Sequence, residues 1–229
     1  MIYLIKCIIF DLDDTLCDYQ KAKSNAINEV NNTLIKYNIN LKTFWEAYDI
    51  LEPKLFREFL DGFISRDQYR VRRYIDILKD TIENPYKISL ELNKIYMENA
   101  NKKIELFDDV KTTLDLLREK AIVLAVLTNG PADGQRDKYN ALRLESFIPN
   151  LYIGEEIGFA KPNYKSYEYV LNELSIHFSE ALMVGDSIKD DYEGAEKIGI
   201  KSVLIDRLNK HVDFLGRKIS NMTELIMLF

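Results

Sequence analysis

Residues 7–19 read CIIFDLDDTLCDY. Three aspartates, Asp11, Asp13 and Asp14, follow directly on the apolar run Ile8, Ile9 and Phe10. Residues 3 to 10 are nearly all apolar and β-prone, the pattern of a strand buried on both faces. Carboxylates crowded against the end of such a strand repel one another and lose hydration. A fold that keeps them there must supply opposite charge.

The chain downstream sets the architecture. From about residue 20 to 100, apolar residues recur at helical spacing. Ala22, Ala26, Val30, Leu34 and Tyr37 form one such row, and Trp45, Tyr48, Leu51, Leu55 and Phe59 a second. Tyr69, Arg73 and Ile77, beside Val71, Tyr74 and Leu78, form a third, and SLELNKIYMENA supplies a fourth helix. From residue 108 helices and strands alternate. DDVKTTLDLLREK is an amphipathic helix with acids first and Arg118 and Lys120 last, which suits its dipole. AIVLAVL, ALMVGDS and KSVLI read as strands, LYIGEEIGFAKP as a short strand and loop. Residues 135–145, NYKSYEYVLNEL and YEGAEKIG read as helices, the last ended by Gly199; NMTELIMLF opens on a capping-box-like Asn221/Glu224 pair. Such alternation predicts an α/β fold, a parallel sheet with helices on both faces. The predicted domains are a core of residues 1–17 and 103–229 and a helical cap of residues 18–102. The cap is inserted after the first strand and is expected to cover the aspartates as a lid.

The chain has 229 residues, 47% of them hydrophobic, enough for a sizeable core. A net charge of −6 argues against a nucleic-acid partner but permits an anionic substrate where a local site reverses the sign. No apolar run approaches the roughly 18–20 residues of a membrane span. The opening MIYLIKCIIF contains Lys6 and reads as a strand, not a signal peptide. Two cysteines, Cys7 and Cys17, make no disulfide framework, so two reduced thiols in a cytoplasmic protein are expected.

In open parallel sheets, ligands bind at the carboxyl ends of the strands. Asp11-Leu12-Asp13, Thr128-Asn129-Gly130 and Gly185-Asp186-Ser187 each fall at such an end, and Lys161 lies on the loop before the helix at 163. Asp11, Asp13 and Asp186, with Asp190 and Asp191 close behind, need a cation if they share a pocket, and carboxylate oxygens select a hard one. Mg2+ fits best, since it takes one or two carboxylates and leaves positions for phosphate oxygens. Thr128, the Asn129 and Gly130 amides and Lys161 suit a phosphoryl group beside it. A carboxylate is ionised at neutral pH and needs no base to act as a nucleophile. Asp11, first off the strand, is read as the nucleophile and Asp13, two residues on, as the general acid/base. Pro162 is placed at the first position of the next helix. Asp14 is read as a turn or capping residue, Thr15 as a hydroxyl steadying the loop, and Asp190 as the cap of a helix at 192. Arginines 70, 72 and 73 are expected to form a solvated helix face, and Trp45, Tyr48, Phe56 and Phe59 the core of the helical block.

DLDDT at 11–15, LTN at 127–129, KP at 161–162 and GDSIKDD at 185–191 resemble, in order, the four motifs of the haloacid dehalogenase superfamily. The resemblance spans the whole predicted core and implies a Rossmann-like parallel-sheet core and magnesium dependence. Asp11 would be nucleophile and metal ligand, Asp13 acid/base and a ligand through its backbone carbonyl, and Asp186 a ligand. Asp191 would act from behind or through water, while Thr128 and Lys161 would hold the phosphate. Dehalogenating members lack an aspartate at the position of Asp13, so its presence favours phosphate esters. RDQYRVRRY, residues 66–74, is similar to nucleotidases and N-acylneuraminate-9-phosphatase-like members. The expected function is a Mg2+-dependent phosphomonoesterase that hydrolyses a sugar phosphate or nucleotide through an aspartyl-phosphate, as monomer or homodimer. The alternatives are a β-phosphoglucomutase-like phosphotransferase and, outside enzymes, a phosphoacceptor domain.

Overall fold

The computed structural model describes residues 5–228. The chain forms two compact units, Met1–Tyr19 with Glu105–Phe229 and Gln20–Ile104. The first is an α/β unit around one parallel sheet. Its strands are β1 (Cys7–Phe10), β2 (Val123–Thr128), β3 (Asn150–Ile153), β4 (Ala181–Gly185), β5 (Lys201–Ile205) and β6 (Lys218–Ile219). Their order is β3-β2-β1-β4-β5-β6. All four residues of β1 are buried, as a central strand covered on both faces requires. Residues 3–4 of the expected first strand lie outside the described residues.

That order places a topological switch beside β1. The chain leaves β1 toward β2 and β3, then returns to β1's other side as β4. Phe10 pairs with Val126 of β2 and Val184 of β4, so the residues that follow all three strands emerge at one rim. The Asp11 N–H still donates to the Val184 carbonyl at 2.9 Å, extending the ladder one residue past β1. Below the rim, Cys7 and Ile9 pack with Ala125, Leu127, Met183 and Tyr167. Helices α5 (Val110–Glu119), α6 (Ala132–Ala141), the single-turn α7 (Gly154–Ile157) and α8 (Tyr164–Leu174) make the connections.

Three local differences from the sequence reading have physical causes. Pro162 precedes the helix: Asn163 is the N-cap, its side chain accepting from the Lys165 N–H, and α8 begins at Tyr164. The segment at 188 is wound as a π-helix, Ile188–Glu193, and Ser187 caps it by accepting from the Asp190 N–H, so Asp190 is not the cap. β6 is two residues long, too short to leave a periodic signal. At the C-terminal end, Glu224 Oε1 accepts from the Ser220 and Asn221 N–H groups, as the capping pattern there predicts.

The second unit is helical: α1 (Tyr19–Lys36), which starts at the unit boundary, α2 (Leu41–Leu60), α3 (Arg66–Leu78) and α4 (Pro85–Asn99). Asn40 caps α2, Ser65 and Gln68 form a capping box on α3, and Asn84 caps α4 with Pro85 in its first turn. Val30, Leu34, Phe44, Tyr48, Tyr74, Leu92 and Tyr96 are among its core residues. The arginine face of α3 is not solvated. Arg73 is only 4% exposed, and Arg70 is also buried. The Arg73 guanidinium lies 5.4, 4.9 and 4.5 Å from the ring centroids of Tyr69, Tyr74 and Tyr96 and donates to Asn93 Oδ1 at 3.0 Å. Aromatic faces there take the place of water around the charge. Arg72 alone is substantially exposed, paired with Glu58 and Asp76.

Candidate active site

The loop after β1 carries the first aspartates. Leu12 and Leu16 are fully buried and anchor it. Asp14 turns it with a positive φ of 58°, a conformation aspartate tolerates better than most residues, and its N–H donates to the Cys17 carbonyl. The loop is also held from the end of β5, two strands away along the same rim. Arg207, after β5, donates to the Thr15 carbonyl at 2.9 Å and to Asp109 Oδ2 at 2.9 Å, over the Phe107 ring. Thr15 therefore steadies the loop through its backbone; its buried hydroxyl has no hydrogen-bond partner among the described residues.

Four of the residues expected at the rim meet there. Lys161, 1% exposed, donates from Nζ to Asp11 Oδ1 and Asp191 Oδ1, each at 2.7 Å. Oxygens of Asp11, Asp186 and Asp191 all lie within 4.8 Å of one another. Asp191 Oδ2 also accepts from the Ser187 N–H at 2.9 Å. Asn129 locks the loop of Lys161 to the end of β2: its Nδ2 donates to the Lys161 carbonyl and its Oδ1 accepts from the Lys161 N–H, both at 2.9 Å. The Asn129 side chain is thus engaged with backbone.

Two carboxyls in this group are strongly perturbed. Burial pushes Asp186 up to about 8, with the charges of Asp11, Asp191 and Asp14 acting in the same direction and Lys161 opposing. Burial likewise pushes Asp11 up to about 7, opposed by Lys161 and reinforced by Asp191 and Asp13. Burial works against the Lys161 ammonium, yet Asp11 and Asp191 hold it protonated well beyond the usual lysine range.

The donor set fits a divalent cation. With all three carboxyls ionised they face one ammonium, leaving two negative charges for a cation to balance. Asp186 has no hydrogen bond or ion pair to its side chain among the described residues, and Asp11 Oδ2 accepts no hydrogen bond from them. All the donors are hard oxygens, which suit Mg2+ better than a softer metal.

Asp13 faces a different environment. Lys138 of α6 donates to its Oδ1 at 2.6 Å and Oδ2 at 2.5 Å, and Gln135 Nε2 donates to Oδ2 at 3.1 Å. The Thr128 hydroxyl, 1% exposed, lies 3.3 Å from Gln135 Oε1 and from the Asn129 carbonyl. Sequence reasoning missed Gln135 and Lys138. Their spacing of three puts both on one helix face, but polar residues on a short helix read as solvent-facing.

The profile of haloacid dehalogenase-like hydrolases matches residues 8–205. The chain belongs to this family. A glyceraldehyde 3-phosphate phosphatase of Pyrococcus abyssi is 30% identical over 203 residues, 87% of this chain and 81% of its own length. The human N-acylneuraminate-9-phosphatase is 26% identical over 204 residues, 87% of this chain and 82% of its own. Among solved structures, the Bacillus subtilis HAD-hydrolase YfnB bound to magnesium superposes with a TM-score of 0.80 at 23% identity, covering 98% of both chains. This haloacid dehalogenase-like hydrolase therefore has the Rossmann-like core its sequence predicts. Among its described residues, no helix is long and apolar enough to cross a membrane.

Proposed function

We propose that this site hydrolyses a phosphate monoester in two half-reactions, with Asp11 as nucleophile and Asp13 as acid and base. The chain is a hydrolase of phosphoric monoesters on small phosphorylated metabolites, the class to which its named relatives belong. The observation that carries the reading is Asp11 itself: it stands at the switch point, with one oxygen held by Lys161 and the other accepting no hydrogen bond from the described residues.

Asp11, Asp186 and the Asp13 backbone carbonyl would hold Mg2+, with Asp191 bracing the set through Lys161 and the Ser187 N–H. When bound, the ion offsets carboxylate charge and polarises the phosphoryl oxygens. Asp11 attacks phosphorus as the ester P–O bond breaks, and Asp13 gives its proton to the departing alkoxide. Asp13 then takes a proton from water. The water oxygen attacks phosphorus, the Asp11–phosphorus bond breaks, and inorganic phosphate and free Asp11 result. The Thr128 hydroxyl, the Asn129 and Gly130 amides and the Lys161 ammonium would steady the phosphoryl oxygens. Sugar phosphates, nucleotides and sialic acid phosphates are the substrates to examine first. The free, buried thiols Cys7 and Cys17 fit a reducing cytoplasm.

The test is phosphate release from p-nitrophenyl phosphate and a panel of those metabolites, with Mg2+ and with EDTA. Wild-type turnover should require the ion, and Asp11→Asn should fall below about one-thousandth of it. Asp11→Asn turning over at the wild-type rate would overturn the assignment of the nucleophile.

A further inference from the structure

We infer that Lys138 and Gln135 are positioning residues: together they fix the Asp13 carboxylate in the orientation from which it serves the leaving group. This rests on the reading of Asp13 as acid and base.

The geometry around α6 goes beyond what holding a helix in place requires. Lys138 and Gln135 are 4% and 5% exposed, while Asp133, Arg136, Asp137 and Asn140 of the same helix face solvent. A purely structural inner face would bury apolar side chains; a buried lysine is costly unless its charge is met. Asp13 is the only carboxylate among the described residues within ion-pair distance of Lys138. On its other side, Nζ lies 4.0 Å from the Tyr19 ring centroid, so the ammonium is held between a carboxylate and an aromatic face. It meets both Asp13 oxygens, and Gln135 adds a third hydrogen bond on Oδ2. That arrangement fixes the plane of the carboxylate as well as its location.

Gln135 extends the network to Thr128. Its amide donates to Asp13 at one end and lies 3.3 Å from the Thr128 hydroxyl at the other. Its approach depends on Gly130, where a Cβ would sit 2.8 Å from Gln135 Nε2 and where φ is +113°. The loop between β2 and α6 is shaped around that amide. Asp13 is partly open to solvent, its side chain 24% exposed, and without these two partners only a weak thiol contact, Cys17 Sγ to Oδ1 at 3.9 Å, would restrain its rotamer among the described residues. A misplacement of about 1 Å costs on the order of a hundredfold in rate.

The test compares two substrates of similar shape. p-Nitrophenolate departs without a proton, whereas phenolate from phenyl phosphate needs one far more. In kcat/KM, which covers the half-reaction that expels the leaving group, Lys138→Met should lose about 10–100-fold on phenyl phosphate and less than about threefold on p-nitrophenyl phosphate. Gln135→Leu should show the same bias more weakly, and Lys138→Arg, which keeps a cation over the carboxylate, should recover part of it. Far-UV circular dichroism checks that each variant is folded, and Lys138→Arg carries the comparison if Lys138→Met is not. Asp13→Asn is the reference, and adding Lys138→Met to it should cost nothing further. Equal losses on both substrates, or a loss that adds to that of Asp13→Asn, would refute the positioning role. An Asp13→Asn variant with no leaving-group bias would instead refute the acid/base reading on which the inference rests.

Discussion

A methyl group at position 185 would sit 2.2 Å from Cγ of Asp191. Gly185 ends β4, and the Asp191 carboxylate packs directly on its Cα, which lets it reach Lys161 and the Ser187 N–H together. Neither partner has room to give: one is strand backbone, the other a buried carboxylate. Gly185→Ala should therefore cost at least about 2 kcal/mol in urea unfolding and abolish turnover, even though alanine has ample β-propensity relative to glycine. Asn129 offers a milder case. Its side chain makes two hydrogen bonds to the Lys161 backbone. Asn129→Ala strips both and leaves buried amide groups unmet, an expected loss of about 1–3 kcal/mol. Asn129→Asp keeps one acceptor for the Lys161 N–H and should recover part of the stability in the same unfolding measurement.

Among the elements, α3 separates what a sequence pattern shows from what it hides. Arg72 and Arg73 are adjacent and chemically identical, yet one pairs with acids at the surface and the other lies against three tyrosine rings. Arg73→Lys should cost about 2 kcal/mol, because an ammonium neither stacks on rings nor spreads its charge as a guanidinium does. Arg72→Lys should cost less than about 0.5 kcal/mol by the same thermal or urea measurement. The same ambiguity hid the inner face of α6, since Gln135 and Lys138 have the composition of a solvated helix. What was legible rested on contrast: β1, β2 and β4 are apolar runs that stop abruptly at Asp11, Thr128 and Asp186, and a parallel sheet brings such stops to one rim. The rim cluster of Asp11, Lys161, Asp186 and Asp191 follows from that rule plus motif order. The π-helical winding after Ser187 left no such contrast, and the two-residue β6 was too short to show one.

For the whole molecule, the rim carboxylates tie stability to proton concentration, and on the proposed site to cation concentration as well. Asp11 and Asp186 are pushed from 3.8 to about 7 and about 8 in the folded chain. Between those limits the folded state binds more protons than the unfolded one. The stability of the metal-free protein therefore falls as pH rises from about 4 to about 8 and levels off above. A divalent cation at the same oxygens competes with those protons, so its own contribution rises with pH. At a hundred times its dissociation constant the ion adds about 2.7 kcal/mol, and each kcal/mol moves the unfolding midpoint of a chain this size by about 2–4 °C. Thermal unfolding in EDTA and in excess Mg2+, at pH 6 and pH 8.5, should thus show a gap of several degrees at the higher pH and a smaller one at the lower. Asp186→Asn should remove most of the gap and flatten the EDTA series, because it deletes one of the two strongly raised carboxyls together with a proposed ligand. A Mg2+ shift of the same size at both pH values, or one that survives Asp186→Asn intact, would mean the ion binds elsewhere on the molecule.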